Sequence, residues 1–120
     1  VARNTTRQGA NFELTVMHDL EEHGYTCLRS SGSRGAVDVV AVWGEIYGPP
    51  LLFIQCKITN PVISPAERLA VQDLALRAGA LPLVAYWAKH RTTGLMAVHY
   101  RQLTGPGPKD WAPWAPGKDE

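Results

Sequence analysis

Phe12, Val16, Met17 and Leu20 recur at helical spacing, with Asn4 to Thr6 available as an N-cap and Gly24 where a C′ residue would end the turn. This pattern predicts a first helix over about Thr6–His23. Tyr25–Arg29 is rich in strand formers and runs into Ser30 to Gly35, six residues of loop chemistry. A second strand follows over Ala36–Val42, apolar on both faces except for Asp38, and Gly44 to Pro50 turns the chain. Over Leu51–Thr59 the pattern alternates. Leu52, Ile54, Cys56 and Ile58 fall on one face and Phe53, Gln55, Lys57 and Thr59 on the other.

Ser64-Pro65-Ala66-Glu67 is a capping box with proline at the first helical position, so a helix is predicted over Pro65–Ala78, closed by Gly79. Ala70, Val71, Leu74, Ala75 and Ala78 make its broad apolar face. Leu69 and Leu76, seven apart, project from nearly the opposite side, which implies a second buried surface. Two further strands are expected over Leu81–Lys89 and Leu95–Tyr100, giving the order α-β-β-β-α-β-β. From Thr104 onward the chain holds four of the nine prolines and two of the four tryptophans, and it reads as a tail outside the sheet.

Composition adds limits to this outline. With 120 residues, 45% of them apolar and 19% charged, the chain has material for one core and none for a second. The expected organisation is a domain over residues 1–103 and a Pro/Trp-rich tail over 104–120. The apolar runs Val39–Trp43, Leu51–Ile54 and Leu83–Ala88 fall far short of the roughly 20 residues that span a bilayer, so no membrane partner is expected. The polar start, Val1 to Gln8, lacks a signal-peptide core, and two cysteines cannot build a disulfide framework, so a cytoplasmic protein is expected. Net charge is +1, too small to hold nucleic acid by bulk charge. The last 17 residues are net −1, however, and Arg3, Arg7, Arg29 and Arg34 crowd the start of a remainder at +2.

Two features stand out chemically. Asp38 lies among Val37, Val39 and Val40, where an unpaired carboxylate costs on the order of several kcal/mol. Gln55 and Lys57 emerge side by side from an otherwise apolar strand in the adjacent hairpin. One reading is structural, a buried ion pair between Asp38 and Lys57. The other is functional. Asp38, the side-chain oxygen of Gln55 and the backbone carbonyl of Cys56 hold Mg²⁺, and Lys57 holds or deprotonates the water that attacks a phosphodiester. Glu13 joins this set if its side of the first helix faces the strand ends, and is otherwise a solvated surface group. Ser33, or backbone N–H groups of its loop, can meet a phosphate. The four histidines lack ligand spacing.

Taken in order, Arg7-Gln8-Gly9-Ala10-Asn11-Phe12-Glu13, His23-Gly24-Tyr25, Arg29-Ser30-Ser31-Gly32-Ser33, Val37-Asp38-Val39-Val40-Ala41 and Ile54-Gln55-Cys56-Lys57 closely resemble archaeal-type Holliday junction resolvases of the PD-(D/E)xK nuclease superfamily. The resemblance spans residues 7–103. It implies a restriction-endonuclease-like fold, a mixed sheet flanked by helices, and an Mg²⁺-dependent homodimer, with Mn²⁺ the alternative ion, that resolves four-way DNA junctions by paired incision. It sets Glu13, Asp38, Gln55 and Lys57 at the metal-site and catalytic positions, Ser33 as the loop serine and Arg29 as a DNA contact. Two positions depart from the pattern. Gln55 stands where the family usually has glutamate, which removes one negative charge from the metal site. Leu14 stands where related resolvases can carry arginine, leaving that phosphate contact to Arg3, Arg7 or Arg34. The rival readings are a junction-binding protein made inert by Gln55, and a nuclease acting on another structure such as a flap or plain duplex. Leu69 and Leu76 are the expected dimer contact.

Overall fold

The computed structural model describes residues 5–30, 35–43 and 51–117, with side chains from Gly9 onward. Helix α1 (Thr5–Glu21) leads into strands β1 (Tyr25–Arg29), β2 (Val39–Trp43) and β3 (Leu52–Lys57). Helix α2 (Pro65–Ala78) then crosses over to β4 (Leu81–Lys89), followed by β5 (Met96–Leu103) and β6 (Trp111–Trp114). The six strands lie side by side in chain order, and only β3 and β4 are parallel. That single parallel step is the one made through a helix, as a parallel neighbour requires.

The alternation in the strands decides which helix covers which face. Phe12, Val16 and Leu20 of α1 bury against Cys27, Val39, Ala41, Leu52, Ile54, Leu83 and Ala85, the inward set of five strands with Tyr100. On the opposite face Val71 of α2 packs with Val84 and Leu103. The result is an α/β/α sandwich. Ser64 caps α2 by accepting the Glu67 N–H (3.1 Å), and Glu67 returns a carboxylate oxygen to the Ser64 N–H (2.9 Å). Gly79 ends the helix at φ 70°, a left-handed conformation that glycine adopts without Cβ strain.

Three expectations need correction. The residues after Thr104 are not a tail outside the sheet, because Trp111–Trp114 pairs antiparallel with β5, from Tyr100↔Trp114 to Leu103↔Trp111. Proline does not prevent this, since β6 is the edge strand and Pro113 leaves no ladder bond missing from a central position. The connection is tight. A Cβ on Gly105 would sit 2.7 Å from the Asp110 carboxylate, whose Oδ2 also accepts the Gly107 N–H (2.8 Å).

The second correction concerns α2, whose buried stripe is Arg68, Val71 and Ala75, while Ala70, Leu74 and Ala78 are exposed. An arginine displaces the expected apolar residue because its stem packs and its head finds acceptors. Arg68 Nη1 donates to the carbonyls of Gly105 (2.9 Å) and Asp110 (3.0 Å), and Gln72 Nε2 donates to Gly105 as well (3.0 Å). Arg101 of β5 lies 3.7 Å over the Trp111 ring of β6, so one guanidinium ties the last strand to its neighbour while Arg68 ties α2 to the connection before it.

Third, β2 begins at Val39 rather than Ala36. Asp38 sits in a bend, where its carbonyl accepts the Ser30 N–H (2.9 Å) and its own N–H donates to Ile54 (2.8 Å).

Candidate active site

Antiparallel pairing collects the conspicuous residues at one end of the sheet. Arg29 closes β1 opposite Val39, Asp38 immediately precedes β2, and Gln55 to Lys57 end β3. Val39 pairs with Ile54 and the Asp38 N–H also bonds Ile54, so two residues on the β2 side face one of β3 and Asp38 stands at a bulge where the ladder ends. The Ile54 carbonyl points to β2, since it accepts the Asp38 N–H. Cys56, two residues on, therefore turns both its N–H and its carbonyl the same way. Its N–H donates to Asp38 Oδ2 (2.8 Å), which fixes the carboxylate at the end of the ladder.

From the other face α1 delivers Glu13, whose Oε1 lies 3.3 Å from Arg29 Nε with only 21% of its side chain exposed. Glu13 is thus not a solvated surface group. Burial pushes its carboxyl above the ordinary value, the charge of Asp38 pushes it further, and Arg29 pulls it back. Asp38 is raised too, chiefly by burial, against the pull of the Cys56 N–H and of Lys57, with the Glu67 carboxylate adding to the rise. The Asp38 charge is thus felt at Glu13, and burial desolvates both carboxylates.

The Asp38–Lys57 ion pair, one of the two readings of these residues, does not form. The Lys57 ammonium Nζ bonds Glu67 Oε2 of α2 at 2.9 Å. Alternation turns Lys57 and Gln55 to the α2 face, and the cross-strand partner of Gln55, Val84, packs under α2. Glu67 is the residue that sequence reasoning missed. Its signal, the third position of a capping box, was visible and accounts for only one of its two carboxylate oxygens.

Ser33, Arg34 and Arg3 lie outside the described residues, as does the side chain of Arg7. Leu69 and Leu76 do project outward from α2, 69% and 82% exposed. Among the described residues no three His, Cys, Asp or Glu side chains converge as a metal cluster. The donor set that remains consists of oxygens alone: the two carboxylates, the Gln55 amide and the Cys56 carbonyl. Such a set suits a hard divalent cation, and a cation would relieve the charge that both carboxylates carry under protest of burial.

Fold and site together define a restriction-endonuclease-like α/β domain, a mixed sheet between two helices with its acidic and basic groups at one sheet end. Residues 4–104 match the family model described as archaeal Holliday junction resolvase (hjc). The chain belongs to that family, and is an endonuclease of Holliday junctions. Among solved structures it is similar to a Holliday junction resolvase from an archaeal hyperthermophile, Archaeoglobus fulgidus Hjc, at 24% identity and a TM-score of 0.59. That likeness covers 78% of this chain and 70% of the other. No curated protein matches the chain.

Proposed function

We propose that the chain resolves four-way DNA junctions as a homodimer with Mg²⁺ bound at the sheet end by Asp38, Glu13, the Gln55 amide oxygen and the Cys56 carbonyl. The observation that carries this reading is the gathering at one sheet end of Asp38, held by the Cys56 N–H (2.8 Å), and Glu13, held by Arg29 (3.3 Å), with the Asp38 charge adding to the rise of the Glu13 carboxyl. Mg²⁺, when bound, supplies positive charge for the scissile phosphate and favours hydroxide over water. Lys57 holds the attacking water from the α2 side, and Arg29 at the end of β1 meets the DNA backbone alongside Arg3, Arg7 and Arg34. Ser33 contributes a hydroxyl from the neighbouring loop. Mn²⁺ fits the same oxygen donors.

A C2 dimer suits the substrate, since a junction needs incisions in two strands related by a near two-fold axis. Leu69 and Leu76, exposed on one face of α2, are its contact. Recognition is of branch shape through phosphates. The activity is that of a cytoplasmic protein working on the nucleoid, and no helix among the described residues is long and apolar enough to cross a membrane.

One observation favours a second reading, a junction-binding protein without cleavage: the glutamine at position 55, which leaves two carboxylates where the family usually has three. A labelled four-way junction, with excess linear duplex as competitor and with or without Mg²⁺, separates the two. Metal-dependent cleavage of the junction supports the enzyme. Retention of the junction with no product supports the binder, and equal cutting of the duplex overturns junction specificity.

A further inference from the structure

The capping glutamate of α2 has two carboxylate oxygens and a separate task for each. Oε1 accepts the Ser64 N–H (2.9 Å) and completes the helix cap, while Oε2 accepts from Lys57 Nζ (2.9 Å) across the gap between α2 and β3. Its backbone N–H is held as well, by Ser64 Oγ (3.1 Å). The turn that carries it is fixed to the rest of the domain, because the next residue, Arg68, is 5% exposed and bonds two carbonyls of the β5–β6 connection. Lysine is the opposite kind of group, a point charge on a flexible four-carbon stem. Anchoring it to a carboxylate that cannot itself swing gives the ammonium one address.

We propose that Glu67 is a positioning residue for cleavage, holding the Lys57 ammonium beside the Asp38 carboxylate through the second oxygen of its capping box. The inference rests on the reading of Lys57 as a group that acts on the attacking water. Its support is geometric. Lys57 directly follows Cys56, whose N–H holds Asp38 Oδ2 at 2.8 Å, so the 2.9 Å bond to Glu67 fixes the lysine next in the chain to the anchor of that carboxylate. The contacts with Lys57 and with Ser64 also lower the Glu67 carboxyl below its ordinary value, so the anchor is an anion wherever the enzyme works near neutral pH.

A helix cap and a lysine anchor are separable by mutation. Ser64→Ala removes the hydroxyl half of the cap and leaves the Glu67–Lys57 bond, whereas Glu67→Gln keeps one acceptor oxygen for two donors and removes the charge. Single-turnover cleavage of a four-way junction in Mg²⁺, junction Kd in Ca²⁺ and thermal melts are measured for both, and for Lys57→Ala. Glu67→Gln is expected to cleave roughly 10- to 100-fold more slowly, the scale of loss from misplacing a reacting group, with junction Kd unchanged. Ser64→Ala is expected to cleave at the wild-type rate despite a comparable fall in melting temperature. In the Lys57→Ala background Glu67→Gln is expected to add no further loss, since it acts through the lysine.

The proposal is overturned if Glu67→Gln cleaves at the wild-type rate while Lys57→Ala is slow, or if Ser64→Ala is slowed as much as Glu67→Gln. Wild-type cleavage by Lys57→Ala is a different failure, since it removes the lysine itself from the reaction.

Discussion

Asp38→Asn exchanges function for stability, and the structure fixes the sign of both. The asparagine keeps an oxygen to accept the Cys56 N–H, so the end of the β2–β3 ladder survives. What it loses is a carboxylate that burial and the Glu67 charge hold above its ordinary pKa, against the pull of the Cys56 N–H and Lys57. A carboxyl raised in the folded state binds more protons there than in the unfolded chain. The wild-type protein therefore loses stability as pH climbs out of the ordinary carboxylate range, and carries the full penalty at neutral pH. Removing a functional-site charge of this kind gains about 0.5–2 kcal/mol, or about 2–8 °C in Tm at about 4 °C per kcal/mol. Bound metal reverses the order. A site of about millimolar Kd, held at ten times that concentration, stabilises the wild type by about 1.4 kcal/mol and the variant by far less. Thermal melts at pH 7 should show Asp38→Asn melting higher in EDTA, with its advantage shrinking as pH falls toward 4 and as Mg²⁺ is added, and with junction cleavage abolished throughout. A variant that melts below the wild type in EDTA would refute the account of Asp38 as a strained ligand, and one with no differential response to Mg²⁺ would remove it from the metal site.

Gln55→Glu adds a third carboxylate beside Glu13 and Asp38, so it should destabilise the metal-free protein and tighten Mg²⁺ binding, read by calorimetric titration. An unchanged titration would take position 55 out of the donor set. Changing Leu69 and Leu76 together to aspartate removes two leucines whose burial is worth roughly 1.5–3 kcal/mol each, and analytical ultracentrifugation should find a folded monomer. That monomer should convert a supercoiled cruciform plasmid to nicked circles rather than linear product. Truncation after Thr104 deletes β6 and strips Arg68 of two carbonyl acceptors, each worth about 1.5–3 kcal/mol to a charged donor, so Tm should fall by about 10 °C or more. A truncated chain that melts like the intact one would mean that the last strand contributes nothing to the fold.

The elements legible in the sequence were those whose signals are local. A serine three residues before a glutamate, with proline between them, fixes the start of α2 because the cap is made among neighbours in the chain. Alternation along Leu52 to Lys57 fixes which side chains share a face, because the strand period is two. The ordered motifs from Arg7 to Lys57 likewise carried the resemblance to the family, because residue types at fixed spacings are written in the chain itself. Partnership across the sheet had no such signal. Nothing near Lys57 in the chain says that its ammonium meets Glu67 rather than Asp38, and nothing near Arg68 says that its guanidinium is buried under carbonyls 37 and 42 residues away. The proline and tryptophan content after Thr104 read as a tail outside the sheet, and this was wrong because an edge strand needs only one free neighbour, and β5 supplied it. Local sequence determined which groups exist and, along the strands, which of them share a face. The tertiary structure decided which of them meet, because the energies that choose between partners come from burial and charge brought together by the fold.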